Sequence, residues 1–131
     1  MWLDLYKSIS DGILGNRLDD RKCHRISSGF FWTEKICGIC IWGKKEVLGC
    51  IFALRKISGS KEEIYINEMA VLPERQGQGI GKQLLNTVKD YSKDKGLAGI
   101  VLYTSEYAPA AKFYEKNGFK LSNGTICMYC E

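Results

Sequence analysis

The apolar and polar positions of this 131-residue chain follow three successive patterns. In the first 35 residues, apolar positions recur at near-helical spacing and predict a helix over residues 2–14, and a charged stretch from Leu18 to Ile26 predicts a second short helix. The aromatic cluster Phe30-Phe31-Trp32 follows, and we interpret it as core packing in preference to the wall of a substrate pocket.

Between residues 36 and 72 the pattern is that of β-strands. Three segments rich in apolar and β-branched residues are predicted as strands: Ile36–Trp42, Glu46–Ile57 and Glu63–Leu72. Because the connections between them are only a few residues long, the three strands are expected to form an antiparallel meander.

After Pro73 the helical spacing returns. The predicted elements are, in order, a helix Gly79–Lys95, a strand Gly99–Tyr103, a helix Pro109–Asn117, and a final strand pair, Phe119–Leu121 with Thr125–Cys130, around the turn Asn123-Gly124. The last strand would be available to pair with a second copy of the chain in a homodimer. The whole pattern predicts one mixed α/β domain over residues 1–131, with an N-terminal helical region (1–35) ahead of a core (36–131).

Composition narrows the class of protein. Hydrophobic residues make up 45% and charged residues 26% of the chain, which suits a packed core. The net charge is +4 without a run of Lys and Arg, so nucleic-acid binding is not indicated. No apolar run reaches the roughly 18 residues of a membrane span. The segment Met1–Lys7 lacks the basic start and apolar stretch of a secretory signal, so we expect a cytoplasmic location.

Six cysteines include two Cys-x-x-Cys pairs, Cys37/Cys40 and Cys127/Cys130, which raise the question of a zinc site. Both pairs fall in predicted strands, where residues three apart point to opposite faces, so neither pair is expected to converge on one metal ion. The single histidine, His24, lies in a charged stretch and is interpreted as a surface residue.

The segment Gln76-Gly77-Gln78-Gly79-Ile80-Gly81 connects a predicted strand to a predicted helix. A helix N-terminus presents unpaired N–H groups and a partial positive charge, and glycines let the backbone approach phosphate oxygens closely. Asp and Glu are absent from positions 75–89, where they would repel an anion. The segment therefore predicts an anion site.

Two nucleotide-binding motifs fit this segment poorly. A P-loop requires Ser or Thr after Gly-Lys, but Gln83 follows Gly81-Lys82. A dinucleotide-binding loop requires its third glycine at position 82, which is a lysine. The strands before the loop are also predicted to be antiparallel, which fits neither fold.

Two motifs flank the predicted helix Gly79–Lys95. Gln76, Gly79 and Gly81 fill the pattern Gln/Arg-x-x-Gly-x-Gly/Ala, and Val71-Leu72-Pro73 matches a Val-x-Pro pattern ahead of it. A second pattern, Ala-x-x-x-Tyr-Glu-Lys-x-Gly-Phe, is matched downstream by Ala110, Tyr114, Glu115, Lys116, Gly118 and Phe119. With these motifs the chain resembles the GNAT superfamily of acetyl-CoA-dependent N-acetyltransferases over roughly residues 36–130.

This resemblance implies a GNAT-like, mostly antiparallel twisted sheet with flanking helices, in which the parallel strands Glu63–Leu72 and Gly99–Tyr103 splay apart. Acetyl-CoA would lie in the splay, and coenzyme A would be the product. There are two departures from the superfamily pattern. Tyr107 replaces an asparagine that often contacts the pantetheine, and the first strand of the superfamily is missing, very short or replaced. The residues implied to contact the cofactor are Met69, Val71, Gln76, Gly77, Gln78, Gly79, Gly81, Lys82, Tyr107, Ala110 and Tyr114.

The resemblance also implies the chemistry, which is direct attack of a primary amine of a small molecule or peptide on the thioester. Tyr114 matches the tyrosine that protonates the leaving sulfur, and a backbone N–H near Met69 would polarise the thioester oxygen. Packing of the Tyr114 ring beside Phe113 and Phe119 is the alternative role of this residue.

The general base is less closely specified. Glu68 is the first candidate, on the strand face shared with Ile64 and Ile66 if the strand is regular, and desolvation beside Met69 would suit a base acting near neutrality. A bulge would change that facing. Glu63 and a chain of water molecules are the alternatives.

The acceptor is expected to contact residues 1–35. Acidic residues there would attract a cationic amine or form a solvated face: Asp11, Asp19, Asp20 and Glu34. The alternative function is a non-catalytic coenzyme-A-binding or regulatory module, against which the intact Tyr114 counts.

Overall fold

A computed structural model describes residues 30–32, 36–44 and 46–131 of the chain. The helices predicted over residues 2–14 and 18–26, the residue His24 and any strand before them lie outside these ranges.

One sheet contains the five strands of the described residues, in the order β1-β2-β3-β4-β5. Neighbours from β1 to β4 pair antiparallel, and β5 pairs parallel to β4, which confirms the predicted meander followed by a parallel strand. The three residues of the aromatic cluster make up β1, whose backbone pairs with that of β2. The strand bounds are β1 Phe30–Trp32, β2 Ile36–Trp42, β3 Val47–Ser58, β4 Lys61–Val71 and β5 Ile100–Leu102.

Two α-helices follow β4 and β5 within the described residues, α1 over Ile80–Asp94 and α2 over Pro109–Lys116. Apolar side chains of α1 recur every three to five residues, so they form one stripe that packs on the sheet. The main core contains Ile39, Ile51, Ala53, Ile64 and Ile66 from the strands, and Ile80, Leu84, Leu85, Val88 and Tyr114 from the helices. None of the helices in the described ranges is long and apolar enough to cross a membrane.

A β-bulge interrupts β4 at Asn67. Phe52 of β3 pairs with Glu68, whereas the next residue, Ala53, pairs with Ile66, so Asn67 has no opposite residue. The extra residue reverses the alternation of side chains. Met69 and Val71 therefore pack with Ile64 and Ile66 on the α1 side, whereas Ala70 packs with Cys50 on the opposite face.

Glu68 consequently lies on the face of Ala70, away from Ile64 and Ile66. The expectation that Glu68 shares a face with those isoleucines applied to a regular strand, and the structure has the alternative, a bulge that changes the facing of Glu68. The expected desolvation of Glu68 between apolar neighbours is wrong, since the side chain is exposed and Met69 points to the other face.

The final strand pair is the other incorrect prediction. Residues 119–121 and 125–130 form no strand, and Ser122 and Thr125 only close a turn with their hydroxyls 3.0 Å apart. Among the described strands β5 pairs with β4 alone, so its outer edge, where this segment could have paired, is left open. Phe119 packs against the main core, but four other apolar side chains of this segment are 79–88% exposed: Leu121, Ile126, Met128 and Tyr129.

The two Cys-x-x-Cys pairs now differ. Cys37 and Cys40 lie in β2 as predicted, and Cys40 pairs directly across the sheet with Cys50. Cys127 and Cys130 are exposed outside any strand, so the strand-based argument against a metal does not apply to them. Within the described ranges, no group of three or more His, Cys, Asp or Glu side chains is placed to hold a metal ion.

Candidate functional site

The parallel strands β4 and β5 separate partway along their length. Their paired residues are Ile64 with Ile100, Tyr65 with Val101 and Ile66 with Leu102. β4 then continues to Val71, so its residues 67–71 have β3 on one side and no strand of the described residues on the other. Met69 and Val71, predicted to contact the cofactor, lie on this free edge. An extended ligand can add to such an edge as if it were another strand.

The loop after β4 is held by short local contacts. The Leu72 N–H donates to the Leu48 carbonyl at 2.8 Å, and residues Pro73–Arg75 form one turn of 3-10 helix. The Gln76 side-chain amide donates back to the Val71 carbonyl at 3.3 Å. Gly77 and Gly79 have φ values of 75° and 83°, which a residue with a Cβ rarely adopts.

The start of α1 is free of acidic charge. Gly79 is the residue preceding the helix, and the Gln83 N–H is the first to bond back to it, at 3.0 Å. The N–H groups of Ile80, Gly81 and Lys82 therefore have no partner one helical turn earlier and point outward from the helix end. The first turn contains no Asp or Glu, and Lys82 is exposed there. This geometry fits an anionic phosphate group.

Gly81 has a structural function that the sequence did not reveal. A Cβ on Gly81 would lie 2.9 Å from Cζ of Phe113, so the absence of a side chain lets α1 and α2 approach closely. The loop glycines Gly77 and Gly79 have no atom within 4 Å of such a Cβ and serve the backbone turn instead.

Tyr114 lies in α2 and is 9% exposed. Its ring packs edge-on between Phe113 and Phe119, with centroid distances of 5.5 and 5.4 Å. Burial, and secondly the negative charge of Glu68, raise the pKa of the Tyr114 phenol above its ordinary value. The hydroxyl therefore keeps its proton at neutral pH. The structure thus brings the two predicted catalytic side chains within electrostatic reach of each other.

The alternative base, Glu63, is half-buried near the start of β4 and pairs with Lys56 of β3. It precedes the part of β4 that is paired with β5, whereas Glu68 follows it. Of the two carboxylates, only Glu68 therefore lies on the part of β4 that has separated from β5.

Tyr107 and Ala110 belong to the connection that follows β5. Tyr107 is 89% exposed in a turn, and its N–H donates to the Ser105 hydroxyl at 3.3 Å. Ala110 is exposed in the first turn of α2. Because β4 and β5 are parallel, this connection and the Gln76 loop leave the same end of the sheet.

Two tyrosines that the sequence analysis overlooked lie at the point where the strands separate. The rings of Tyr65 and Tyr103 have centroids 5.6 Å apart, and Tyr103 directly follows the last paired residue of β5. The alternation of side chains in a strand could have placed Tyr103 on the same face as Val101 from the sequence alone. The parallel register that joins it to Tyr65 is not visible in the sequence.

Known proteins give a consistent picture. A sequence model of the acetyltransferase (GNAT) domain matches residues 28–121. The "Probable N-acetyltransferase 14" of Xenopus tropicalis is 33% identical over 87 residues, covering 66% of this chain and 41% of that protein. Human "N-acetyltransferase 8B" is 33% identical over 90 residues, covering 64% of this chain and 40% of that protein. The chain thus spans about two fifths of the length of these relatives.

Solved structures agree at the level of the fold. The aminoglycoside N-acetyltransferase AAC(6')-Iy in complex with CoA superimposes with a TM-score of 0.68 at 20% identity, covering 99% of this chain and 90% of that chain. An aminoglycoside acetyltransferase from an uncultured soil metagenomic sample, in complex with sisomicin, gives 0.70 at 14% identity and covers 98% and 87%.

The domain match covers well over half of the chain and includes the free β4 edge, the Gln76 loop and Tyr114. The chain belongs to the GNAT acetyltransferase family.

Proposed function

We propose that this protein transfers an acetyl group from acetyl-CoA to a primary amine of a small molecule or peptide. The main support is a continuous path from the free edge of β4, through the Gly77–Gly79 turn, to the acid-free start of α1. The edge suits the pantetheine arm and the helix start suits the pyrophosphate. The proposed contacts are Met69, Val71, Gln76, Gly77, Gln78, Gly79, Gly81, Lys82, Tyr107 and Ala110.

Bound acetyl-CoA supplies a thioester whose carbonyl carbon forms a bond with the amine nitrogen while its bond to sulfur breaks. A backbone N–H near Met69 stabilises the negative charge on the carbonyl oxygen. Tyr114 gives its proton to the departing sulfur, a role that its raised pKa supports because the phenol remains protonated.

Glu68 accepts the proton that the amine loses. Its exposure gives an amine access, and its charge reaches Tyr114. A proton taken up by Glu68 balances the one that Tyr114 gives to sulfur when the amine binds in its neutral form. An amine that arrives as an ammonium ion first releases one proton to solvent, so the overall reaction at neutral pH yields one proton.

Binding and turnover are tested separately. Coenzyme A should raise the melting temperature of the protein, and amines should release coenzyme A from acetyl-CoA. Tyr114→Phe should lower kcat by roughly a hundredfold, the typical contribution of a general acid, while keeping the melting shift. Tyr129→Phe is the matched control, because Tyr129 is 88% exposed in the C-terminal segment. Unchanged kcat in Tyr114→Phe would contradict the acid role.

The same two measurements separate the enzyme from a non-catalytic coenzyme-A-binding module. Such a module would show the melting shift without release of coenzyme A from any amine. A protein that coenzyme A does not stabilise would contradict both functions.

We also propose a homodimer formed through the outer edge of β5. The start of β5 borders a groove of about 620 Å³, which polar and charged side chains of α1 also line: its residues are Asn86, Lys89, Asp90, Ser92, Lys93, Gly99, Ile100, Gly118, Phe119 and Lys120. The exposed apolar segment 125–130 of a second copy would fit it, and two copies would each fill the groove of the other. Light scattering should give a mass that rises with concentration above the 14.8 kDa of one chain; a constant mass would contradict the dimer.

A further inference from the structure

One face of the sheet carries an apolar surface next to the proposed reaction site. Ile64 and Ile66 point into the core, so Tyr65 between them points to the opposite face, which after the bulge is also the face of Glu68. Tyr65 pairs with Leu54 of β3 and with Val101 of β5. Tyr103 follows on the same side as Val101. We call the four residues Leu54, Tyr65, Val101 and Tyr103 the tyrosine shelf.

Two side chains of the tyrosine shelf are more exposed than is usual for large apolar residues in a sheet. Tyr103 is 63% exposed and Leu54 is 39% exposed, although both are large apolar side chains within or beside the sheet. The Tyr65 and Tyr103 rings are tilted by 55° with centroids 5.6 Å apart, so they form one continuous aromatic wall. Clustered apolar surface beside a catalytic group is typical of a ligand site.

The register sets the distance from this wall to the proposed base. Tyr65 and Glu68 pair with Leu54 and Phe52, which are two residues apart on β3. Two residues of strand correspond to roughly 7 Å. A ligand whose nitrogen lies at Glu68 would therefore place a group about 7 Å away against the tyrosine rings.

The charges around the tyrosine shelf indicate which kind of ligand group it can bind. The Lys56 ammonium lies 5.9 Å from the Tyr65 ring centroid, where it forms a cation–π contact. In the register of β3 and β4, Lys56 lies opposite Glu63, whose carboxylate offsets its charge. Because Lys56 already occupies this ring face, a positive group of the ligand would have to displace it to make its own cation–π contact. An uncharged apolar or aromatic group can pack against the rings without that exchange.

We propose that the acceptor is a monoamine carrying an aryl or similar apolar group, which the tyrosine shelf binds while the nitrogen lies at Glu68. The inference rests on the proposed acetyltransferase function and specifies its acceptor. Tyr65 and Tyr103 are then specificity-determining residues. Polyamines and amino sugars, whose additional cations would meet Lys56, are poor acceptors.

The test compares amines of matched reactivity on the whole protein. Phenylbutylamine should have a KM about tenfold lower than propylamine, the scale of one well-packed aromatic contact, and spermidine should resemble propylamine or be worse. Tyr103→Ala should raise the KM for phenylbutylamine and so remove most of its advantage over propylamine, whereas Tyr103→Phe should keep that advantage. Leu121→Ala, at an exposed apolar side chain outside the proposed dimer segment, is the control for loss of apolar surface elsewhere.

A direct binding measurement keeps this inference distinct from the proposed function. Calorimetric titration of phenylbutylamine into protein saturated with coenzyme A should show binding that Tyr103→Ala weakens about tenfold. Turnover or binding without preference for the aryl amine would overturn the tyrosine shelf alone. Aryl-amine binding without turnover would support the shelf and contradict the enzyme.

Discussion

Helix α1 and the C-terminal segment 121–131 both carry regularly spaced apolar residues, yet the structure treats them in opposite ways. Leu84, Leu85 and Val88 of α1 are fully buried against the sheet. Ile126 and Met128, which alternate as in a strand, are 79% and 82% exposed. Apolar periodicity therefore predicted an element in both regions, and the structure contains only the helix.

The difference comes from where the backbone hydrogen bonds are made. An α-helix satisfies its N–H and C=O groups within its own residues, so α1 needs its surroundings only for side-chain packing. A strand satisfies them only with another strand. The segment 125–130 has the composition of a strand, but it pairs with none of the described strands, and the outer edge of β5 stays open.

The largest contrast is expected when one apolar side chain is shortened in each region. Leu84→Ala removes a fully buried side chain and should lower the free energy of unfolding by about 2–5 kcal/mol. Leu121→Ala removes a side chain that is 85% exposed and should change it by less than about 0.5 kcal/mol. Urea unfolding of both variants measures the difference. Similar losses in the two would mean that the C-terminal segment is packed in solution.

A smaller contrast is expected when a methyl group is added. A Cβ on Gly49 would lie 2.9 Å from Cγ2 of Ile80, 3.1 Å from the Ala70 carbonyl oxygen and 3.3 Å from Cδ1 of Leu84. Gly49→Ala should therefore destabilise the protein by about 1–3 kcal/mol through overpacking.

Gly99→Ala provides the matched control beside β5. Nothing lies within 4 Å of a Cβ there, and φ is not in the left-handed region, so this substitution should be neutral or slightly stabilising. Combining Gly49→Ala with Leu84→Ala should cost less than the sum of the two, because the shortened side chain makes room. Strict additivity would contradict the contact.

The same contrast explains what the sequence could predict. β2 was predicted with the bounds that it has, and α1 and α2 within one residue at either end, because hydrophobic spacing and the stops at Pro73 and Gly96 are local signals. The cofactor loop was likewise recognisable from consecutive residues. The family assignment followed from these local features together with the Tyr114 signature.

Features that depend on pairing between distant segments could not be predicted. The bulge at Asn67 inserts one residue without any characteristic sequence, and it moved Glu68 to the opposite face of β4. The contact of Tyr65 with Tyr103 requires the parallel register of β4 and β5. The close approach of Gly81 to Phe113 requires the packing of α1 on α2.

The smallest effect on stability is expected from a charge placed in the C-terminal segment. Ile126→Lys puts an ammonium on a side chain that is already 79% exposed, so the free energy of unfolding should change by less than about 0.5 kcal/mol in dilute protein. At high protein concentration the same lysine should prevent the increase in mass proposed for the homodimer, since it would have to enter the groove beside β5. Ser122→Lys, in the turn before this segment, is the control and should leave association unchanged. A loss above about 1 kcal/mol in dilute protein would mean that the segment pairs with its own β5, which would contradict the contrast between the two regions.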